Sequence, residues 1–111
     1  MKLAIIGSRS LIVENIDQYI PSNVAEIISG GAKGVDRQAA DYARKTGKTL
    51  TEFLPNYKRY GHAAPLKRNE LIAEYADEAI AFWDGESRGT LHAIRQFDER
   101  GKHVYVIILQ N

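Results

Sequence analysis

The chain has no cysteine, so it forms no disulfide and holds no metal through thiolates. It also has no long hydrophobic run, and none approaches the about 18 apolar residues that a membrane-spanning helix needs. Charge of one sign is not in excess, since 15 Lys and Arg stand against 14 Asp and Glu and the net charge is +1. The chain as a whole therefore has no general attraction for nucleic acid or membrane, and any anion site must be local.

The length and composition are those of one globular domain. With 111 residues, 44% hydrophobic and 26% charged, the chain predicts a single domain over residues 1–111. The N-terminal sequence MKLAIIGSRS is broken by a glycine too early for a signal peptide and predicts a buried strand instead. We therefore expect a cytoplasmic protein that has no membrane partner.

Apolar runs alternate with stretches of helical period along the chain. The runs are rich in β-branched and aromatic residues and predict strands at 2–6, 24–29, 48–54, 77–83 and 102–109. The stretches between them, with proline or glycine near their ends, predict helices at 10–20, 34–46, 64–76 and 89–100. Strict βα alternation with almost continuously apolar strands predicts an α/β fold, a three-layer sandwich around a five-stranded parallel sheet.

The order of the strands decides which loops meet. Two doubly wound orders are common for five strands, and we expect 3-2-1-4-5. In this order the connection changes direction between the first and fourth strands, and a crevice opens beyond their carboxyl ends. GSRS at 7–10 and DGESRGT at 84–90 follow these two strands, and SGGAKG at 29–34 follows the neighbouring second strand. Three glycine-containing loops are therefore expected at one crevice.

These loops carry residue types that bind phosphate. Gly30, Gly31 and Gly34 lack a Cβ, so their backbone amides can approach an anion closely. A helix beginning near Gly34 adds free amides and a positive dipole end, worth about 0.3–1 kcal/mol for an anion and about 2 kcal/mol when partly buried. We expect hydroxyl and guanidinium groups to make further contacts with the phosphate. Asp36 is expected to contact a ribose hydroxyl, and Trp83 is expected to stack on a base. The predicted ligand-binding residues are Gly7, Ser8, Arg9, Ser29, Gly30, Gly31, Gly34, Asp36, Arg68, Asn69, Trp83, Gly85, Ser87, Gly89 and Thr90.

The same residues also have plainer explanations. Glycine-rich βα turns are common in doubly wound proteins without a ligand, and an acid such as Asp36 in the first turn of a helix is favoured by the dipole. Trp83 belongs to a residue type more often found in the core or at its rim. His62, His92 and His103 lack metal-ligand spacing, so no metal site is predicted. Neither G-x-x-x-x-G-K-[ST] nor G-x-G-x-x-G occurs, which argues against a kinase-like ATPase and an ordinary dehydrogenase.

Four segments, in order along the chain, resemble the SLOG superfamily. They are GSRS at 7–10, SGGAKGVDRQAADYA at 29–43, HAAPLKRNELIAEYAD at 62–77 and FWDGESRGTLHAI at 82–94. This superfamily contains the bacterial DNA-processing protein of natural transformation, the "Lonely guy" phosphoribohydrolases and many small stand-alone proteins, which the chain resembles most closely. The resemblance implies a Rossmann-like fold that binds a nucleotide or nucleotide-derived ligand, as a sensor would, with phosphate-binding loops around 30–36 and 85–90.

The enzymatic branch of the superfamily cleaves a nucleoside monophosphate between the base and the ribose phosphate, and its loop P-G-G-x-G-T-x-x-E is matched only in part. Gly89 and Thr90 match the G-T pair, and Arg68 matches an arginine on the preceding helix. The glutamate position falls on Ala93, whose side chain cannot ionise and so cannot assist the reaction. Arg68 and Glu86 remain the candidate catalytic residues of an N-glycosidic hydrolase.

Three functions are therefore compared. Binding of a nucleotide-type ligand without catalysis is the first, and the hydrolase is the second. Single-stranded DNA binding is the third, because SGGAKGVD resembles a loop of the DNA-processing protein and Arg9, Lys33 and Arg37 lie near one edge. The resemblance also implies a homodimer, for which apolar residues of the last two predicted helices offer a surface. These are Leu66, Leu71, Ile72, Tyr75, Ile94 and Phe97.

Overall fold

Five parallel strands form one sheet in the computed structural model of the protein, which describes residues 1–110. The strands are β1 (Lys2–Gly7), β2 (Glu26–Ser29), β3 (Thr49–Glu52), β4 (Glu78–Trp83) and β5 (Val104–Ile108). Their order across the sheet is β3-β2-β1-β4-β5, and every neighbouring pair is parallel. The predicted α/β class and the order 3-2-1-4-5 are confirmed.

Helices connect the strands and cover both faces of the sheet. They are α1 (Val35–Thr46), α2 (Tyr57–Tyr60), α3 (Ala64–Tyr75) and α4 (Arg88–Glu99). Three of them, α1, α3 and α4, lie where helices were predicted, whereas α2 was not predicted. It is a single turn whose first amides are capped by Asn56, which accepts a hydrogen bond from the Arg59 amide at 3.1 Å.

The helix predicted at 10–20 is wrong. This segment holds only a 3-10 helix at Ile16–Tyr19, preceded by Asn15 in the left-handed conformation. The side chain of Gln38 on α1 donates to the carbonyl of Val13 and accepts from its amide, both at 2.8 Å. The backbone at Val13 therefore has its partners without an α-helix, and the segment packs on the sheet in an irregular conformation.

Successive side chains of a strand point to opposite faces of the sheet, and this produces two separate apolar clusters, one on each face of the sheet. On β4, Ile80 and Phe82 join the cluster that contains α1 and the 10–20 segment. Ala79 and Ala81 point to the other face and join the cluster that contains α3 and α4. Both faces of the sheet are therefore covered, which confirms the three-layer sandwich.

The register of the sheet brings the loops after β1, β2 and β4 together. Ala4 of β1 is level with Ile28 of β2, and Gly7 is level with Phe82 of β4. Pairing continues one residue beyond β1, because the amide of Ser8 donates to the carbonyl of Phe82 at 3.0 Å. The carboxyl edge of these three strands is thus one continuous surface. Among residues 1–110, no helix combines the length and the apolar character that crossing a membrane would require.

Candidate functional site

A cavity of about 420 Å³, here called the crevice, lies at this carboxyl edge. Its walls are the end of β1, the β2–α1 loop, the segment from Pro55 to Asn69 and the first turn of α4. Most of the predicted ligand-binding residues line it, namely Gly7, Arg9, Gly30, Gly31, Asp36, Arg68, Asn69, Ser87, Gly89 and Thr90. The structure brings these residues together, and their role in binding a ligand stays a prediction.

Two predicted serines lie behind the lining and hold the loops in place. The hydroxyl of Ser8 accepts from the amide of Asp84 at 3.3 Å and lies 3.5 Å from the hydroxyl of Thr90. The hydroxyl of Ser29 donates to the carbonyl of Asp36 and accepts from the amide of Gly31, both at 3.2 Å. Both serines are buried, so their hydrogen bonds fix the positions of the crevice loops.

Trp83 lies among the packing residues and outside the lining of the crevice. It packs against the cluster beneath α3 and α4, and its indole nitrogen donates to the carbonyl of Ser87 at 3.0 Å. This placement favours the plainer explanation of Trp83 as a rim aromatic. Gly34 and Gly85 also lie outside the lining.

The crevice also has an apolar wall that the sequence pattern did not indicate. It consists of Pro55, Tyr57, Pro65 and Leu66 from the region around α2 and the start of α3. Tyr57 is 60% exposed although it is a large aromatic residue. The one signal in the sequence is the pair of prolines that bracket this segment, because α2 is too short for its period to be recognised.

Arg68 lies against the backbone of the glycine loop. Its Nη1 donates to the carbonyl of Gly30, and its Nε donates to Oδ1 of Asn69 at 3.0 Å. A Cβ at residue 30 would lie 2.5 Å from Nη1 of Arg68 and 3.0 Å from Oδ2 of Asp36. A side chain at position 30 would therefore displace the guanidinium group, and glycine leaves room for it beside the main chain.

Asn69 extends this connection to the start of α4. Its Nδ2 donates to the carbonyl of Gly89 at 3.3 Å and lies 3.2 Å from Nδ1 of His92. Asn69 is buried, and its Oδ1 accepts from Arg68. Arg68 and Asn69 together therefore link the loop at Gly30 to the start of α4 at Gly89 across the crevice. Arg68 thereby lies in the crevice together with the loop that precedes α1 and the first turn of α4.

The loop after β4 already contains an anion of its own. The carboxylate of Asp84 accepts from the amides of Ser87 at 2.7 Å and Glu86 at 2.9 Å, and these bonds lower the pKa of Asp84. Ser87 in turn caps α4 by accepting from the amide of Thr90 at 3.3 Å. Three amides of the predicted phosphate loop, those of Glu86, Ser87 and Thr90, are therefore occupied, so that donors for an external anion are left to the other amides in the first turn of α4. Glu86 is exposed and lies outside the crevice lining, so its catalytic role stays a prediction.

A buried carboxyl group lies on the opposite side of the crevice. Asp36 is only 7% exposed, and its Oδ2 accepts from the amide of Ala32 at 3.1 Å. Burial raises the pKa of Asp36, while the Ala32 amide and the charge of Arg68 act in the opposite direction. The folded state binds the proton of Asp36 more tightly than the unfolded state does. Protonation therefore stabilises the fold fully below the unfolded pKa of Asp36, and this stabilisation is lost as the pH rises through the folded pKa.

Asp36→Asn is therefore expected to gain stability relative to the wild type as the pH rises from about 4 to 7, because the variant has no buried charge to form. Asparagine keeps an oxygen that can accept from Ala32. Urea unfolding at several pH values measures the difference in free energy of unfolding. Asp41→Asn is the matched control, because Asp41 lies exposed on the same helix. A difference between Asp36→Asn and wild type that is constant with pH would contradict the expectation.

Ala93 lies in the crevice, where the resemblance places a catalytic glutamate. It is 4% exposed and contributes a methyl group to the lining. This side of the crevice therefore offers no ionisable group for chemistry on a bound molecule.

Comparison with known proteins identifies one family. The model of the YspA, cpYpsA-related SLOG family matches residues 3–60, which is just over half of the chain and runs from β1 to the end of α2. No curated protein and no solved structure shows a significant match. The matched region contains both the loop after β1 and the β2–α1 loop.

Proposed function

The chain belongs to the YspA, cpYpsA-related SLOG family, and on that premise we propose that its crevice binds a nucleotide or nucleotide-derived ligand without transforming it, as a sensor would. One observation carries the proposal. Arg68, half-buried and aligned by Asn69, lies in the same cavity as the first turn of α4 and the loop that precedes α1. A fixed guanidinium beside helix N-termini is an arrangement that binds phosphate.

The phosphate end of the ligand lies between Arg68 and the start of α4 in this proposal. Ser87, Gly89 and Thr90 line the crevice there, and Ser87 and Thr90 add hydroxyl groups 3.2 Å apart. Gly89 has no side-chain atoms to obstruct the first amides of α4. The positive end of the helix dipole and the guanidinium charge both favour an anion at this point.

The remaining walls suit the ribose and the base. The carboxyl of Asp36 offers an acceptor for a hydroxyl group, and the exposed ring of Tyr57 offers a stacking surface beside Leu66. The volume of about 420 Å³ is within the range of about 300–1,000 Å³ found for small-molecule sites. Tyr57 thus takes the role that the sequence suggested for Trp83.

Binding is favoured over hydrolysis because Ala93 replaces the expected glutamate. The hydrolase has one observation in its favour, which is the buried carboxyl of Asp36, whose raised pKa suits a general acid. Release of free base from a nucleoside monophosphate, lost in Asp36→Asn, would replace the binding proposal with the hydrolase.

A melting-temperature screen tests the proposal. The panel contains adenosine and guanosine mono- and diphosphates, ADP-ribose, NAD and cyclic nucleotides, with free base measured in the same samples. A ligand at 100 times its Kd stabilises the protein by about 2.7 kcal/mol, a shift of about 10 °C or more for a domain of this size. The absence of a shift with every compound, in a protein that unfolds cooperatively, would disprove the proposal.

The homodimer stays a prediction. Ile72, Ile94 and Phe97 are buried in the core, so only part of the predicted surface is available for a second copy. Leu66, Leu71 and Tyr75 on α3 remain exposed; because Leu66 lines the crevice, the prediction rests on Leu71 and Tyr75. Light scattering during size-exclusion chromatography tests it, and the mass of a single chain at high concentration would contradict it.

A further inference from the structure

A second cavity, of about 450 Å³, adjoins the crevice. It shares Arg9, Gly31 and Ala32 with the crevice lining, so the β2–α1 loop borders both cavities. Its other side is formed by the exposed face of α1. We call it the basic cavity, because its charged lining residues are Arg9, Lys33, Arg37, Arg44 and Glu52.

The cations of the basic cavity are largely without protein partners. Arg9, Lys33 and Arg37 are exposed and form no ion pair with any residue in 1–110. Arg44 has a pair with Asp41 at 3.6 Å, but both side chains are well exposed. An exposed pair of this kind contributes about 0–1 kcal/mol, so it does not prevent Arg44 from binding another anion.

The local structure of α1 explains why these charges converge. Arg37 and Arg44 are seven residues apart and therefore lie on one face of the helix, close to Lys33 in the preceding loop. Ala40 lies between the two arginines and lines the cavity with a small side chain. Glu52, at the end of β3, is the single carboxylate of the lining. The cavity therefore has a net positive charge and space for an anion.

We propose that the basic cavity binds a second phosphoryl group of the ligand in the crevice. This proposal rests on the proposed function. The ligand class is then a nucleotide with two phosphoryl groups, either a 5′-diphosphate or a 3′,5′-bisphosphate of a nucleoside, or a derivative of one. Arg9 contacts both cavities and lies between the two phosphoryl groups. Arginine suits this role because its guanidinium forms paired hydrogen bonds to phosphate oxygens.

The lining favours a small anion over a nucleic-acid strand. Proteins that bind single strands combine a basic groove with aromatic side chains on which successive bases stack. No aromatic residue lines the basic cavity among residues 1–110. The cluster is also small, with four cations from the loop after β1, the loop before α1 and one face of α1, and the whole chain has a net charge of only +1.

Titration calorimetry tests the proposal with the 5′-monophosphates, 5′-diphosphates and 3′,5′-bisphosphates of the four common ribonucleosides. We expect at least one ligand with two phosphoryl groups to bind the wild type about tenfold or more tightly than its monophosphate. The diphosphate and bisphosphate arms distinguish the two sources of the second group. In Arg37→Gln the affinity for that ligand is expected to fall about tenfold, and in Arg37→Gln with Arg44→Gln further still. Affinity for the monophosphate is expected to stay within about twofold, because Arg37 and Arg44 lie outside the crevice.

Lys45→Gln is the matched control. Lys45 lies on α1, loses the same charge on substitution and forms an exposed pair with Asp17 at 2.8 Å, away from the basic cavity. It is expected to leave all affinities unchanged.

Four results would overturn the proposal, and the last two are distinguishable from the first two. Equal wild-type affinity for ligands with one and two phosphoryl groups, or equal losses for both in Arg37→Gln, overturns the second site and leaves the proposed function intact. Failure of every nucleotide to bind overturns both. A 20-nucleotide oligothymidylate could instead bind more tightly than every nucleotide, with an affinity that falls steeply with salt and is lost in Arg37→Gln with Arg44→Gln. That result would assign the basic cavity to single-stranded nucleic acid.

Discussion

Gly34→Ala is expected to lower the free energy of unfolding by about 2–6 kcal/mol. Gly34 precedes α1 with φ 68° and ψ −123°, a conformation that costs other residues about 1–3 kcal/mol. A Cβ at this position would lie 2.5 Å from the carbonyl oxygen of Arg9, which is backbone and cannot rotate away. Overpacking of this kind adds about 1–3 kcal/mol. Urea unfolding followed by circular dichroism measures the loss.

Gly47→Ala is the matched control for this prediction. Gly47 ends α1 with φ 72°, but a Cβ there would meet no heavy atom within 4 Å. Its replacement is expected to cost only the about 1–2 kcal/mol of a left-handed conformation. The larger loss in Gly34→Ala then reports the contact between the loop after β1 and the start of α1, together with the less favourable ψ of residue 34. Equal losses in both variants would show that this contact does not constrain the native state.

Arg68→Gln is expected to weaken binding of a phosphorylated ligand by about 10- to 100-fold. A hydrogen bond to a charged group contributes about 1.5–3 kcal/mol, and each 1.4 kcal/mol is a factor of ten in affinity. Glutamine removes the charge and the paired donors, although it keeps an amide near the carbonyl of Gly30. Titration calorimetry with a ligand found in the melting-temperature screen measures the change.

Two comparisons separate phosphate binding from a structural role of Arg68. Lys67→Gln removes the same charge from the neighbouring residue, which pairs with Glu70 at 3.7 Å and lies outside the crevice lining. It is expected to change the affinity by less than about twofold. The unphosphorylated nucleoside, in turn, is expected to bind Arg68→Gln about as well as it binds wild type. A loss that is the same for nucleoside and nucleotide would assign Arg68 to positioning of the loop rather than to phosphate.

The sheet was predictable because its signals are strong and local. The run KLAII is apolar enough to be buried on both faces, as β1 is, and right-handed crossovers leave few orders for five parallel strands. The segment at 10–20 was not predictable in the same way. Its apolar spacing fits a helix, but the hydrogen bonds of Val13 with Gln38 arise from a residue on another element. A pattern within one segment contains no information about such a partner.

The location of the candidate site could be predicted better than the contacts of its residues. Glycines after β2 and around the start of α4, together with Arg68, indicate in the sequence most of the loops that line the crevice. Tyr57 was missed because a helix of one turn has no recognisable period. Trp83 was an attractive candidate because it ends β4, yet its ring packs against the core cluster.

The strand order and the meeting of three glycine loops at one edge could be expected from the amino-acid pattern, because burial and chain connectivity act over whole segments. Only the tertiary structure decided which groups of those loops can accept a ligand. Asp84 turns to the amide of Ser87, and Asp36 turns to the amide of Ala32, whereas Arg37 and Lys33 form no ion pair among residues 1–110. The physical reason is that hydrogen bonds and ion pairs depend on distances of a few ångströms between residues far apart in the chain.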